Sequence, residues 1–104
     1  MGRLENKVAL ISGGSRGMGA AEAEIFAAEG AHVVIADILE DEGRKTASKI
    51  AETGARCLFT NLDVLKASDW ESAISTVTSA FGKLDILVTN AGAVSYTHLR
   101  AHET

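Results

Sequence analysis

The chain has 104 residues, enough for one domain, with 46% hydrophobic residues, 23% charged residues and a formal net charge of -4. This composition excludes a disordered chain, and the acidic balance leaves no basic face for nucleic acid. No apolar run is long enough to span a membrane, and the charged first residues lack the apolar stretch of a signal peptide, so we expect a cytoplasmic protein with no membrane partner.

Short apolar runs alternate with longer segments of helical periodicity, which predicts an α/β fold of βα units around a parallel sheet. Residues 8–11 form the first predicted strand, and a glycine-rich turn joins it to a helix over residues 18–29. That helix is rich in alanine, which suits close packing on a sheet, while Ile25 and Phe26 supply bulk.

The later elements continue this alternation of strands and helices. They are strand 32–37, helix 40–53, strand 56–61, a third helix and strand 84–89. Gly30, Gly54 and Gly82 predict the ends of the three helices. Ser68 and Glu71 have the spacing of a capping box, so we expect the third helix to start there.

Two residues that can carry chemistry are more simply explained by packing. Cys57 has no second cysteine to pair with and lies in a predicted strand, so we expect a small buried apolar group. Trp70 shares a helical stripe with Ala73, Ile74, Val77 and Phe81. We favour packing for Trp70 over the alternative, stacking on a ligand.

The strongest local signal is the turn over residues 12–19, with the sequence SGGSRGMG, between a buried strand and a helix. A diphosphate needs hydrogen-bond donors and little steric bulk, which helix N-terminal amides and glycine provide. The common pattern GxGxxG fails because Glu22 stands where its third glycine belongs. Gly13, Gly17 and Gly19 form GxxxGxG instead, which predicts a diphosphate site, with purely structural glycines as the alternative.

An acidic residue follows at the end of the second strand. Asp37 lies 18 residues beyond Gly19, where a carboxylate accepts hydrogen bonds from an adenosine ribose and repels a 2′-phosphate. A solvated turn residue is the alternative for Asp37. Arg16 could pair with the 2′-phosphate of NADP, but we favour NAD because Asp37 acts at the ribose itself. Arg16 then lies on the surface or on the diphosphate.

The glycine turn and two later segments resemble the short-chain dehydrogenase/reductase family. The turn, preceded by Ser12, is similar to the family's GxxxGxG turn, which follows Thr or Ser. Residues 61–64, NLDV, resemble its Asp-Val pair, and residues 89–92, TNAG, match its Asn-Asn-Ala-Gly motif at three of four places, with Thr89 replacing the first Asn. The resemblance covers roughly residues 5–92.

The resemblance implies a Rossmann-type, doubly wound parallel sheet of order 3-2-1-4, truncated after the fourth strand, with the cofactor cleft at the strands' carboxyl ends. It also implies that Asp63 and the backbone beside it take the adenine, and that Asn90 lies in the cleft. The candidate cofactor-binding residues are Gly13, Ser15, Arg16, Gly17, Met18, Gly19, Asp37, Asp63, Val64, Asn90, Ala91 and Gly92.

The family's chemistry comes from a Ser, a Tyr and a Lys beyond the Asn-Ala-Gly motif, and that segment is not present. Tyr96 and Arg100 share the spacing of the Tyr and the Lys, but Arg does not replace a Lys that holds ribose and lowers the pKa of a phenol. We therefore assign no catalytic residue. His98 and His102 do not complete a zinc set, so we assign no metal site.

We expect residues 94–104 to have a different origin from the rest of the chain. Residues 94–104, VSYTHLRAHET, resemble the in-frame translation of a transposase-type sequencing adapter. We expect residues 1–93 to be the N-terminal part of an NAD(P)-binding domain, residues 94–104 to be a non-native tail, and the natural protein to continue beyond residue 93.

Three hypotheses for function follow from these observations. By resemblance, the parent protein is an oligomeric oxidoreductase that moves hydride between NAD(H) and a small alcohol or ketone. A non-catalytic nucleotide-binding module is the second hypothesis. A fold that has lost its cofactor is the third, and the intact Gly13, Gly17, Gly19 and Asp37 argue against it.

Overall fold

The computed structural model describes residues 2–15 and 17–90. The strands and helices in these ranges are β1 (Val8–Ser12), α1 (Gly17–Ala28), β2 (His32–Asp37), α2 (Glu40–Ala51), β3 (Cys57–Asn61), α3 (Ala67–Phe81) and β4 (Ile86–Thr89). Each predicted boundary lies within two residues of the observed one. Among the residues described, no helix has the length and apolar character needed to cross a membrane.

The four strands form one parallel sheet in the order β3-β2-β1-β4, which confirms the predicted order. Strand β1 is buried along its whole length because it lies between two neighbours and under helices on both faces. Ser12 at its end pairs with Ala36 and Thr89. The carboxyl ends of the strands therefore meet at one edge of the sheet.

One face of the sheet packs against α3. Leu10 and Val34 of the sheet form a buried cluster with Trp70, Ala73 and Val77 of this helix. The Trp70 side chain is 5% exposed, and its Nε1 donates a hydrogen bond to the Val64 carbonyl oxygen at 2.8 Å. The packing role predicted for Trp70 is confirmed.

The other face packs against α1 and α2. Ala23 of α1 is fully buried in this cluster, and Phe26 packs against it. Ile25, in contrast, is 60% exposed, so the prediction that it supplies bulk to the interface is wrong. Residues 23 and 26 lie on one face of the helix by the three-residue spacing, and residue 25 lies on the opposite side.

Cys57 at the start of β3 is 7% exposed and belongs to the same cluster. Burial raises the pKa of this thiol to about 11, because the charged thiolate is poorly solvated there. The thiol therefore stays neutral at physiological pH, and the prediction of a small buried apolar group is confirmed.

The helix ends agree with the glycine positions. Gly30, Gly54 and Gly82 have φ values of 98°, 97° and 83°, in the left-handed region that a residue with a side chain rarely adopts. Gly82 caps α3 by donating its N–H to the Thr78 carbonyl oxygen at 2.8 Å. These glycines end the helices as predicted.

The predicted capping box at the start of α3 is wrong. The helix begins at Ala67, its N-cap is Lys66, and no side chain makes a capping hydrogen bond, which places Ser68 inside the first turn. Asp69 instead turns back and accepts the Asp63 N–H at 2.9 Å. Ser68 therefore has no capping role, and Asp69 links the first turn of the helix to the segment after β3.

Asp85, the residue before β4, is hydrogen-bonded to Val8 at the start of β1. The Asp85 carboxylate accepts the Val8 N–H at 2.9 Å, and the Asp85 N–H donates to the Val8 carbonyl oxygen at 2.9 Å. The hydrogen bond from Val8 lowers the pKa of Asp85, and Lys83, 3.2 Å from the carboxylate, lowers it further. Asp85 thus closes the open end of the β1–β4 ladder.

Replacing Asp85 by Asn removes the charge that accepts the Val8 N–H, so we expect a lower free energy of unfolding at pH 7. Since the folded pKa lies below the unfolded one, this stabilisation is present above the unfolded pKa and is lost as pH falls through the folded pKa. The difference between wild type and Asp85→Asn should therefore shrink below about pH 4. Urea unfolding at several pH values measures it.

Glu71→Gln is the control, because it neutralises an exposed carboxylate on α3. A stability difference at Asp85 that stays constant between neutral and acid pH would contradict the prediction.

Candidate functional site

The turn between β1 and α1 folds back tightly on itself. A Cβ on Gly19 would overlap the carbonyl oxygen of Gly13 and lie 2.7 Å from its carbonyl carbon. A Cβ on Gly13 would come within 3.1 Å of the Asn90 Cβ, and Gly13 has a φ of 69°. The first turn of α1 thus reaches the tip of β1 only because Gly19 has no side chain.

The start of α1 faces open space. A Cβ on Gly17, the first helical residue, would meet no described atom within 4 Å beyond its chain neighbours. The first turn of α1 carries no acidic side chain that could occupy its positive end. Met18 is 74% exposed beside it. Gly17 and Met18 are therefore exposed at the start of the helix, where unpaired N–H groups favour an anion.

Asp37 lies next to this turn, at the tip of β2. Its Oδ2 accepts the Ser15 N–H at 3.2 Å, and its Oδ1 accepts the Leu39 N–H at 3.1 Å. Each carboxylate oxygen retains a lone pair for a further donor. The sequence placed Asp37 and the glycine turn 18 residues apart, and the fold brings them into direct contact.

A cavity of about 210 Å³ lies at this edge of the sheet. Its lining residues come from the ends of β1, β2 and β3: Gly13, Asp37, Ile38, Leu62, Asp63 and Val64. Sequence reasoning named four of these six residues and missed Ile38 and Leu62. The sequence signal for Ile38 was its place directly after Asp37 at the end of a predicted strand, and in the structure its side chain is 61% exposed.

Asp63 and Val64 are held rigidly at the cavity wall. The Asp63 Oδ1 accepts the Leu65 N–H at 3.0 Å, which leaves its other oxygen for a ligand. The Asp63 N–H donates to Asp69, and the Val64 carbonyl oxygen accepts the Trp70 indole N–H. Two side chains of α3 therefore position this segment.

Asn90 joins three elements at the same edge. Its Nδ2 donates to the Ser12 carbonyl oxygen at 3.1 Å and to the Glu22 Oε1 at 2.9 Å. These bonds tie the residue after β4 to the end of β1 and to α1. Sequence reasoning missed Glu22, because nothing distinguishes it from the other glutamates of the helix.

Ser15 lies inside the turn and not on its surface. It is 3% exposed, and its hydroxyl donates to the Leu39 carbonyl oxygen at 3.3 Å. Ser15 is among the residues predicted to bind the cofactor, and it is not among the residues that line the cavity. Its backbone N–H, bonded to Asp37, is its link to the candidate site.

Three of the predicted cofactor residues, Arg16, Ala91 and Gly92, lie outside the described residues. The segment with Tyr96, His98, Arg100 and His102 lies outside them too. Within residues 2–15 and 17–90, no group of three or more His, Cys, Asp or Glu side chains could hold a metal ion.

A second cavity, of about 600 Å³, lies at the opposite edge of the sheet. The starts of β2 and β3 and the ends of α1 and α2 surround it, with Ala28, His32, Ile50 and Arg56 in its lining. None of the predicted site residues within the described ranges lines this cavity. Its greater volume does not make it the candidate site, because parallel sheets bind ligands outside the carboxyl ends of their strands.

Comparisons with known proteins agree with this geometry. The family model described as short chain dehydrogenase matches residues 7–104. The trans-4-hydroxycyclohexanecarboxylate dehydrogenase of Sinomonas cyclohexanicum is 54% identical over a segment that covers 86% of this chain and 37% of that protein. The 3-alpha-(or 20-beta)-hydroxysteroid dehydrogenase of Mycobacterium bovis is 46% identical, covering 90% of this chain and 35% of that protein.

Solved structures show the same fold. The hydroxysteroid dehydrogenase from Escherichia coli aligns with a TM-score of 0.84 and 34% identity, covering 88% of this chain and 39% of that one. A short chain dehydrogenase from Mycobacterium smegmatis aligns with a TM-score of 0.84 and 33% identity. The chain spans little more than a third of the length of the curated relatives named above.

Replacing Gly19 by Ala should destabilise the fold, because the added methyl would overlap the Gly13 backbone and neither backbone can move away easily. We expect a loss of about 1–3 kcal/mol, the usual cost of forcing an extra carbon into a packed site. Urea unfolding measures it.

Met18→Ala, which changes a neighbouring but exposed side chain, is the control and should shift stability by no more than about 0.5 kcal/mol. A Gly19→Ala variant as stable as wild type would show that the turn is not closed as described.

Proposed function

This chain belongs to the short-chain dehydrogenase family, and from that premise we propose that it forms the NAD(H)-binding part of an oxidoreductase that interconverts an alcohol and a ketone. The convergence of Gly13, Asp37, Asp63 and Val64, from three strand ends, on one cavity is the observation that carries the proposal. Three distant segments of sequence supply groups suited to three parts of one dinucleotide.

The diphosphate would lie at the start of α1. The backbone amides of Gly17 and Met18 would donate to it, and this is supported by the lack of any described atom within 4 Å of a Cβ at Gly17 beyond its chain neighbours. When bound, NAD(H) would supply the hydride chemistry between an alcohol and a ketone. The described residues would bind and orient the dinucleotide, and we assign none of them to catalysis.

The adenosine would lie in the cavity. Asp37, with both oxygens already ordered by backbone N–H groups, is positioned to accept the ribose hydroxyls. Asp63 and Val64 on the facing wall would take the adenine, against the apolar side chain of Ile38. A 2′-phosphate would meet the negative charge of Asp37, which supports NAD over NADP as the cofactor.

We propose that the complete protein acts on a small secondary alcohol or its ketone, in the cytoplasm and as a homo-oligomer. The names of the two enzymatic relatives specify a hydroxycyclohexanecarboxylate and hydroxysteroids, which supports a secondary hydroxyl group on or beside an alicyclic skeleton as the substrate class. The 104-residue chain itself would bind the dinucleotide without turnover, because its family's Ser, Tyr and Lys lie beyond the Asn-Ala-Gly motif.

Asp37→Ala should weaken NADH binding about 10-fold to 100-fold, the cost of losing hydrogen bonds to a charged group. NADPH binding should weaken less, because the variant also removes the repulsion between the Asp37 carboxylate and the 2′-phosphate. The ratio of the NADPH and NADH dissociation constants should therefore fall. Fluorescence titration of the purified chain with each dinucleotide measures both affinities.

Asp41→Ala is the matched control, since it removes an exposed carboxylate from the first turn of α2, outside the cavity lining. Unchanged NADH affinity in Asp37→Ala would remove Asp37 from the site, and a wild-type chain that binds no dinucleotide would end the proposal.

We further propose that residues 1–93 are the native part of this chain and that residues 94–104 are a translated adapter. The family match runs through residue 104 and marks no boundary at residue 93. Resequencing the locus should show that the natural reading frame differs from this sequence after about Ala93. It should continue and encode a Ser and a Tyr-x-x-x-Lys segment. Genomic reads that carry the tail followed by a stop codon would contradict this.

A further inference from the structure

Ser15 is held on three sides by hydrogen bonds. Its N–H donates to Asp37 Oδ2, its hydroxyl donates to the Leu39 carbonyl oxygen, and its own carbonyl oxygen accepts the Thr46 hydroxyl at 2.5 Å. All of these partners lie outside the glycine turn. The middle of the turn is therefore oriented by β2 and by α2 as well as by its own backbone.

The close approach of α2 is built into its sequence. A Cβ on Gly43 would lie 2.9 Å from the Ser15 Oγ and would overlap the Phe59 ring. Thr46 follows one turn later on the same face of the helix and is half-buried. The glycine lets α2 come close enough for the Thr46 hydroxyl to reach the turn.

Thr46 differs from the other helical threonines with a described hydroxyl bond. Thr76 and Thr78 donate to carbonyl oxygens three or four residues earlier in their own helix, as threonines usually do. Thr46 donates to a residue 31 positions away, in the segment that joins β1 to α1. Its hydroxyl is therefore committed to a tertiary contact beside the candidate site.

We propose that Thr46 is a positioning residue for the dinucleotide. By holding the Ser15 carbonyl, it keeps the Ser15 N–H directed at Asp37 Oδ2, so that the carboxylate that takes the ribose and the turn that takes the diphosphate keep a constant spacing. The inference rests on the proposed function. It adds Thr46 of α2 to the residues that determine dinucleotide affinity, although Thr46 itself would not contact the dinucleotide. Thr46 thereby sharpens the preference for NADH over NADPH.

Thr46→Val removes the hydroxyl and keeps the shape of the side chain. We expect the dissociation constant for NADH to rise about threefold to tenfold, because the turn and Asp37 lose their fixed spacing, with the worth of one neutral hydrogen bond as the upper limit. NADPH affinity should fall less, because NADPH gains nothing from an aligned Asp37. Thr46→Ser keeps the hydroxyl and should bind NADH as wild type does. Fluorescence titration of the purified chain with NADH and NADPH gives these values.

Thr76→Val is the matched control, because it removes a hydroxyl bond of the same chemistry on α3, and it should leave both affinities within about twofold. Thermal unfolding of all variants shows whether each is folded at the titration temperature. If Thr46→Val unfolds, Thr46→Ala, which also removes the hydroxyl, takes its place, and a loss of NADH affinity no greater than that of NADPH in this variant would contradict the inference.

Three outcomes overturn the inference. They are unchanged NADH affinity in Thr46→Val, an equal loss for NADH and NADPH, and an equal effect of Thr76→Val. A wild-type chain that binds no NADH overturns the proposed function and this inference with it. Wild-type binding of NADH beside an unaffected Thr46→Val variant overturns the inference alone.

Discussion

The contact between the first turn of α1 and the Gly13 carbonyl is the constraint on which the candidate site depends. Because Gly19 has no side chain, the helix backbone can lie directly against the tip of β1. This places the amino end of α1 at the carboxyl edge of the sheet, beside the ends of β2 and β3. A wider turn would move the helix amides away from Asp37 and from the cavity.

The edge of the sheet is organised by hydrogen bonds that link elements rather than by packing alone. Asp37 joins β2 to the glycine turn, Asn90 joins the end of β4 to β1 and α1, and Trp70 fixes the wall that carries Val64. None of the described buried side-chain polar atoms lacks a partner. A satisfied network of this kind holds polar groups in place before a ligand arrives, which lowers the entropic cost of binding.

Local patterns predicted the elements well where a single residue decides the outcome. Gly30, Gly54 and Gly82 end their helices because the backbone turns left-handed there, and no neighbour can change that requirement. Ser68 is not a helix cap because α3 begins one residue earlier, at Ala67, with Lys66 as the N-cap. A capping pattern needs the Ser at the N-cap position itself, so a shift of the helix start by two residues removes its role.

The sequence alone determined the order of the elements, the parallel sheet and the family, because periodicity, glycine positions and short motifs act through local geometry. It also located Asp37 and Asp63 at strand ends. Only the tertiary structure decided that Ser15 turns inward and that Thr46 reaches it from α2. The reason is that contacts between distant segments depend on how closely two helices and a sheet can approach, and packed side chains such as Phe59 set that distance.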